Sequence, residues 1–208
     1  MSYEITELDD GPLKLESDKP IIYKDGVLVK AESPVYLCRC GVSNNKPFCD
    51  GTHNSANFSS KREISEEIIQ NYKGKEISII FNRSICAGAG ECVRNLPTVF
   101  KSGSSSEWIY PDNDKNENII KTINGCPSGA LSYTIQGKRD LDNSSVAKVT
   151  IIKNGPYNIE AVNFGHLPTP TNFSTKKYSL CRCGYSKNKP YCDYSHADKN
   201  WDDEKIKE

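Results

Sequence analysis

The sequence predicts an α+β chain in which one strand-rich unit occurs twice, and three observations carry that prediction. A sixteen-residue stretch, CRCGVSNNKPFCDGTH from Cys38 to His53, returns as CRCGYSKNKPYCDYSH from Cys181 to His196. Short strand-like runs bounded by turn residues precede each copy. Between the copies, residues 63–136 mix alternating runs with helically spaced isoleucines.

Residues 1–62 read as the first unit. Asp25-Gly26 lies between the runs IIY and VLV, a strong signal for a two-residue hairpin. Val35, Tyr36 and Leu37 lead as a strand into the first cysteine loop, and Asp50 is placed to cap a short helix after it. Residues 143–208 read as the second unit. Gly155-Pro156, preceded by VTII, matches Gly11-Pro12 at nearly the same distance from the first cysteine, so the repeat reaches beyond the motif.

Residues 63–142 form a different, small α+β unit. Ile64, Ile68 and Tyr72 sit at helical spacing. EISIIF alternates, with Ile77, Ile79 and Phe81 on one face of a strand. Trp108-Ile-Tyr reads as a strand; Ile119, Ile120 and Ile123 mark a helix stopping at Gly125; LSYTI reads as a closing strand.

The repeated stretch spaces its polar residues C-x-C-x8-C-x3-H both times. Soft thiolates with one imidazole are metal ligands. The candidate ligands are Cys38, Cys40, Cys49 and His53 in the first copy, and Cys181, Cys183, Cys192 and His196 in the second. Donor chemistry alone admits a structural zinc ion or an iron–sulfur cluster. The full pattern resembles the CDGSH iron–sulfur (mitoNEET-like) family, whose motif is C-x-C-x2-S/T-x3-P-x-C-D-G-S/T/A-H. Ser43, Pro47, Asp50, Gly51 and Thr52 complete it in the first copy. Ser186, Pro190, Asp193 and Ser195 do so in the second, where Tyr194 replaces the glycine. The resemblance implies one [2Fe–2S] cluster per copy, held by three Cys and one His. It also implies a fold completed by two units whose strands pair in a shared β-cap, which one chain with two units can build as an intramolecular pseudo-dimer and hence a monomer.

In the middle unit, Cys86 and Cys92 stand six positions apart and Cys126-Pro127 follows later. This resembles divergent, single-cluster bacterial-type ferredoxins over about seventy residues. Their central cysteine is here Ala89, and Gly88 stands where divergent relatives carry a histidine, so three thiolates remain. The resemblance implies a [3Fe–4S] cluster on Cys86, Cys92 and Cys126, with [4Fe–4S] as the alternative.

Composition bounds the function. Lys plus Arg equals Asp plus Glu at 27 each, which points to neither nucleic acid nor an anionic membrane as partner. Hydrophobic residues make up only 36%, a core thin enough for metal centres to act as staples. Nine cysteines cannot form a fully paired disulfide framework, and three ligand sets of three use them all. The acidic start lacks a signal-peptide pattern and no apolar run of roughly eighteen residues suggests a membrane span, so a reducing cytoplasm is expected. His166 reads as an ordinary loop residue. Ser43 and Ser186 suit either hydrogen bonds to a cluster or turn chemistry; Arg39 and Arg182 suit either cluster charge or solvent.

No nucleophile–base pair, phosphate loop or carboxylate dyad occurs in a motif context, so the chain does not read as an enzyme. The expected function is electron transfer by a multi-cluster protein working with a redox partner protein. The alternatives are cluster transfer to an apo-acceptor protein or redox and iron sensing, and a structural zinc protein.

Overall fold

The computed structural model describes residues 3–103, 107–140, 146–165, 168–171, 174 and 176–205. His166 lies outside them. Three sheets carry the α+β architecture, and two of them are shared between the repeats.

The first repeat contributes β1 (Tyr3–Glu7), β2 (Leu13–Ser17), β3 (Ile22–Lys24), β4 (Val27–Val29) and β5 (Val35–Leu37). Asp25 and Gly26 both have positive φ and close the β3–β4 hairpin, as their dipeptide predicts. The middle segment contributes β6 (Ile69–Lys73), β7 (Ile77–Asn82), α1 (Glu91–Asn95), α2 (Asn116–Asn124), β8 (Leu131–Ile135) and β9 (Lys138–Asp140). The second repeat contributes β10 (Lys148–Ile151), β11 (Tyr157–Glu160), β12 (Asn163–Phe164), β13 (Lys177–Leu180) and α3 (Ser195–Asp198).

Each repeat lends a strand to the other. The first sheet runs β12-β1-β2-β5 and the second β13-β11-β10-β3-β4. β1 pairs in parallel with β12, Ile5 opposite Phe164. β10 pairs in parallel with β3, Val149 opposite Ile22. Since β10 and β12 occupy the places in the second repeat that β1 and β3 occupy in the first, the exchange is reciprocal. An isolated bridge between Cys40 and Cys183 joins the two motif loops. The β-cap expected of a paired structure is thus present within one chain.

The third sheet, β6-β7-β8-β9, is antiparallel throughout. Ile77, Ile79 and Phe81 are buried on one face of β7, and Ile119 and Ile123 of α2 join the same core. That core is continuous with Ile5, Leu13 and Leu15 of the first repeat and Val149, Ile159 and Leu180 of the second, so the low hydrophobic content still supplies one connected interior.

Three local expectations are corrected. Residues 64–68 form no helix: Glu63 and Ile64 donate their N–H groups to the Lys187 carbonyl of the second repeat, Ile68 is exposed, and Tyr72 belongs to β6. A tertiary contact outweighs the local period there. Trp108-Ile-Tyr supplies only a bridge, Ile109 with Phe100, because Trp108 turns its ring edge-on to Phe81 at 4.9 Å. LSYTI (β8) lies inside its sheet, not at its close, since β9 pairs beyond it.

Candidate metal centres

Both motif loops fold the same way. Cys38 donates its N–H to the Pro47 carbonyl at 2.8 Å and Cys49 to Tyr36 at 2.8 Å. Cys181 and Cys192 do the same toward Pro190 at 2.8 Å and Ser179 at 2.9 Å. The closed loop brings its first and third ligands to one end. Inside it, the Ser43 hydroxyl donates to the Phe48 carbonyl at 2.7 Å and accepts from the Asn45 N–H at 3.0 Å. Ser186 repeats this with Tyr191 and Asn188. Both serines are therefore turn-formers, not donors to a cluster.

Asp50 accepts from the N–H groups of Thr52 and Asn44, and Asp193 from those of Ser195 and Lys187. The Thr52 hydroxyl first, and then backbone N–H groups, hold the Asp50 carboxyl down to about 2. Only the second loop continues into a helix, the four residues of α3; residues 51–57 are successive turns, which corrects the expected first helix.

The four donors of each copy come as two pairs. In the first, Cys38 Sγ is 3.6 Å from Cys40 Sγ, and Cys49 Sγ is 3.4 Å from His53 Nδ1. In the second, Cys181 and Cys183 are 3.7 Å apart, and Cys192 Sγ is 3.3 Å from His196 Nδ1. Among the described residues, no three Cys, His, Asp or Glu side chains gather as a single ion requires. Each copy thus offers its soft donors as two pairs. A hydrogen bond from the partner thiol holds Cys38 and Cys181 below the usual thiol value. Cys40 and Cys183 rise, first because each donates that bond and then through burial. Two adjacent thiolates need a bound cation to coexist.

The copies differ in exposure. Cys181, Cys183 and Cys192 are all buried, whereas Cys40, Cys49 and His53 are only half-buried. Burial raises Cys192 well above the usual thiol value, and it lowers His196.

The arginines between the paired cysteines are neither solvent-exposed nor aimed at the sulfurs. Arg39 is buried, donates to the carbonyls of Gly11 and Leu8, and pairs with Glu7. Arg182 donates to Gly155 at 2.9 Å and Ile152 at 2.7 Å, pairs with Asp203, and stacks over Trp201 at 4.8 Å. Each arginine ties its loop to the turn between the first two strands of its own repeat.

Cys86 follows a 3-10 turn (Arg83–Ile85), Cys92 lies in α1, and Cys126 follows the end of α2. The three lie near enough for their charges to act on one another. Burial raises Cys86; burial first, then the charges of Cys126 and Cys86, pushes Cys92 up to about 11. Such thiols favour ionisation only beside a metal. No donor stands at Ala89, which lines a neighbouring cavity of about 410 Å³ with Ala87, Gly88 and His196. Cys86, Cys92 and Cys126 are the candidate ligands of this segment.

Two residues bearing on the sites were not singled out from sequence. Tyr157, fully buried, donates its hydroxyl to the Cys38 carbonyl at 2.8 Å and the Pro47 carbonyl at 3.0 Å, locking the first loop from the second repeat. The first repeat has Leu13 in that place, and this polar-for-apolar difference was the available signal. Trp201 donates its indole N–H to the Gly41 carbonyl at 3.2 Å.

Two family descriptions match the segments that carry these residues. The family described as "Iron-binding zinc finger CDGSH type" matches residues 10–54 and 132–197, and "Divergent 4Fe-4S mono-cluster" matches 72–136. The chain is 40% identical over 62 residues to YjdI of Escherichia coli, in strain K12 and in O157:H7, covering 30% of this chain and 80% of that protein. YjdI is described only as an uncharacterized protein. No solved structure matches the chain. The iron-binding description spans both repeats and more than half of the length, and the chain belongs to the CDGSH iron-binding family.

Proposed function

We propose that this chain is a multi-cluster iron–sulfur protein for electron transfer, with a [2Fe–2S] site on each repeat and a three-thiolate site between them. The two-plus-two donor arrangement, present twice, carries this reading. Clusters bound there would supply reversible one-electron chemistry. The protein sets how readily an electron is accepted. A neutral imidazole in place of a fourth thiolate removes negative charge, which favours the reduced state at both repeat sites. The middle site, with thiolates alone, differs in that respect. It takes [3Fe–4S] in this reading, because Ala89 offers no fourth ligand; [4Fe–4S], the cluster in the matched family's description, requires a ligand from elsewhere.

A carrier of this kind works with a redox partner protein, needs no catalytic side chains of its own, and functions as a monomer in the reducing cytoplasm. Among the described residues no helix is long and apolar enough to cross a membrane.

Cluster transfer to an apo-acceptor protein is favoured by one observation. Cys40, Cys49 and His53 of the first site are half-buried, so an acceptor thiol can approach them. Iron and sulfide analysis of protein purified without oxygen tests the main reading. About seven irons per chain are expected, with an unpaired-spin signal in the oxidised state from the three-iron centre. Eight irons without that signal assign [4Fe–4S]. Stoichiometric zinc with no iron overturns the reading. Cluster movement to an apo-acceptor without reversible reduction favours transfer.

A further inference from the structure

Tyr194 stands where the first repeat has Gly51, and both residues hold left-handed backbone, φ +82° and +87°. That conformation suits glycine and strains tyrosine, so the ring must be held by something outside its own loop. It is held by the middle segment. A Cβ added to Gly88 would fall 1.9 Å from Tyr194 Cδ2 and 2.1 Å from Cε2, so the ring packs directly against the glycine. Gly51 meets nothing comparable: a Cβ there has open space around it.

The two contacting residues hold equivalent positions in their loops. Gly88 is two residues after Cys86, Tyr194 is two after Cys192, and the backbone N–H of each favours the thiolate of its own cysteine. Tyr194 also stands edge-on to His196, ring centroids 5.5 Å apart. His196 shares with Ala87 and Ala89 the wall of one cavity of about 410 Å³. Flanking bonds fix the same juncture. Arg83 donates to the Asp193 carbonyl at 3.3 Å, and the buried Asn188 amide donates to the Ser84 carbonyl at 2.7 Å.

We propose that Tyr194 is a positioning residue shared by two centres: its ring, seated on Gly88, holds the Cys86 loop and the Cys192 loop in one fixed relation, so that opening either loop opens both, a coupling that does not pass through the Cys49 end of the first loop. The inference rests on the reading that these loops bind metal. Its test reads thiol protection, which zinc and iron–sulfur clusters both confer, so it succeeds or fails whichever metal is bound.

The experiment uses the full metal-loaded chain, challenged with EDTA and pulsed with iodoacetamide, the alkylated peptides being quantified by mass spectrometry. In the wild type, Cys86 and Cys192 should become reactive together and after Cys49. Tyr194→Gly relieves the strained backbone while deleting the ring. It should expose Cys192 and Cys86 alike about tenfold faster and leave Cys49 unchanged, as expected for the loss of one aromatic packing contact. Tyr194→Phe keeps the ring and should keep wild-type rates. Gly88→Ala, placed in the other loop, should accelerate Cys192. If Tyr194→Gly speeds Cys192 alone, if Tyr194→Phe behaves like Tyr194→Gly, or if the cysteines of all three centres accelerate together, the shared positioning role is overturned.

Discussion

Gly41 and Gly184 face each other's ligand loops across the seam between the repeats: a Cβ on Gly41 would meet the Cys183 carbonyl oxygen at 2.2 Å, and one on Gly184 would meet that of Cys40 at 2.4 Å. Both glycines follow a ligand cysteine directly and both have positive φ. The Cys40–Cys183 bridge depends on this closeness, and two candidate metal ligands therefore also join the repeats.

Gly41→Ala or Gly184→Ala should each destabilise the metal-loaded chain by about 2–4 kcal/mol, from left-handed strain and a backbone clash. Denaturant unfolding measures this. A wild-type midpoint for either variant would mean the seam is not as tight as described.

Arg182→Ala should cost roughly 3–5 kcal/mol, because it leaves Asp203 unpaired in a buried setting along with two carbonyls. Arg39→Ala should cost less, since Glu7 retains some access to water. Neither guanidinium bonds to a sulfur, so the visible spectrum of the folded fraction should stay unchanged. A shifted spectrum in folded protein would show that the arginine acts on the centre directly.

Acidification should release metal from the repeat sites before the all-thiolate middle site, because a ligating imidazole must be neutral. Burial lowers the pKa of His196, so its folded form favours the neutral ring; that stability is present above the ordinary imidazole value of about 6.5 and falls away as pH drops below it. Asp50 cannot be the trigger at mildly acidic pH. Its depressed pKa makes its contribution complete above about 4 and lost only as pH falls toward about 2. The half-buried first site should empty before the buried second. His53→Cys and His196→Cys should each slow loss at their own site and lower its potential. Visible absorbance decay near pH 5–6 would refute imidazole protonation if neither substitution slowed it.

The reciprocal strand exchange uses the pairing edges within one chain, so a monomer is expected in solution across micromolar concentrations. Light scattering that returned a stable symmetric dimer would contradict this.

The two repeated loops were legible from spacing, because each is local: its candidate donors lie within sixteen residues and its turn-forming Ser, Pro and Asp recur in register. The strands with clear alternation were equally legible, as with Ile77, Ile79 and Phe81 in β7. Two-residue β12 carries no such signal and exists because β1 offers it an edge. Ile64, Ile68 and Tyr72 misled for the same reason, their helical spacing giving way to tertiary partners: the Lys187 carbonyl for Ile64, the Ser84 hydroxyl for Ile68 and the β6–β7 pairing for Tyr72.

By itself, the sequence determined an α+β chain with two copies of a three-cysteine, one-histidine loop and a three-cysteine segment between them, since those patterns are written in short stretches of residues. Only the tertiary structure decided which strands cross between the repeats, where Arg39 and Arg182 are spent, and that Tyr194 rests on Gly88 and not in solvent. The strand crossings and the Tyr194–Gly88 contact join residues more than a hundred positions apart, and the arginines reach partners in other elements of their own repeat; in each case burial and close packing, not local periodicity, select the partner.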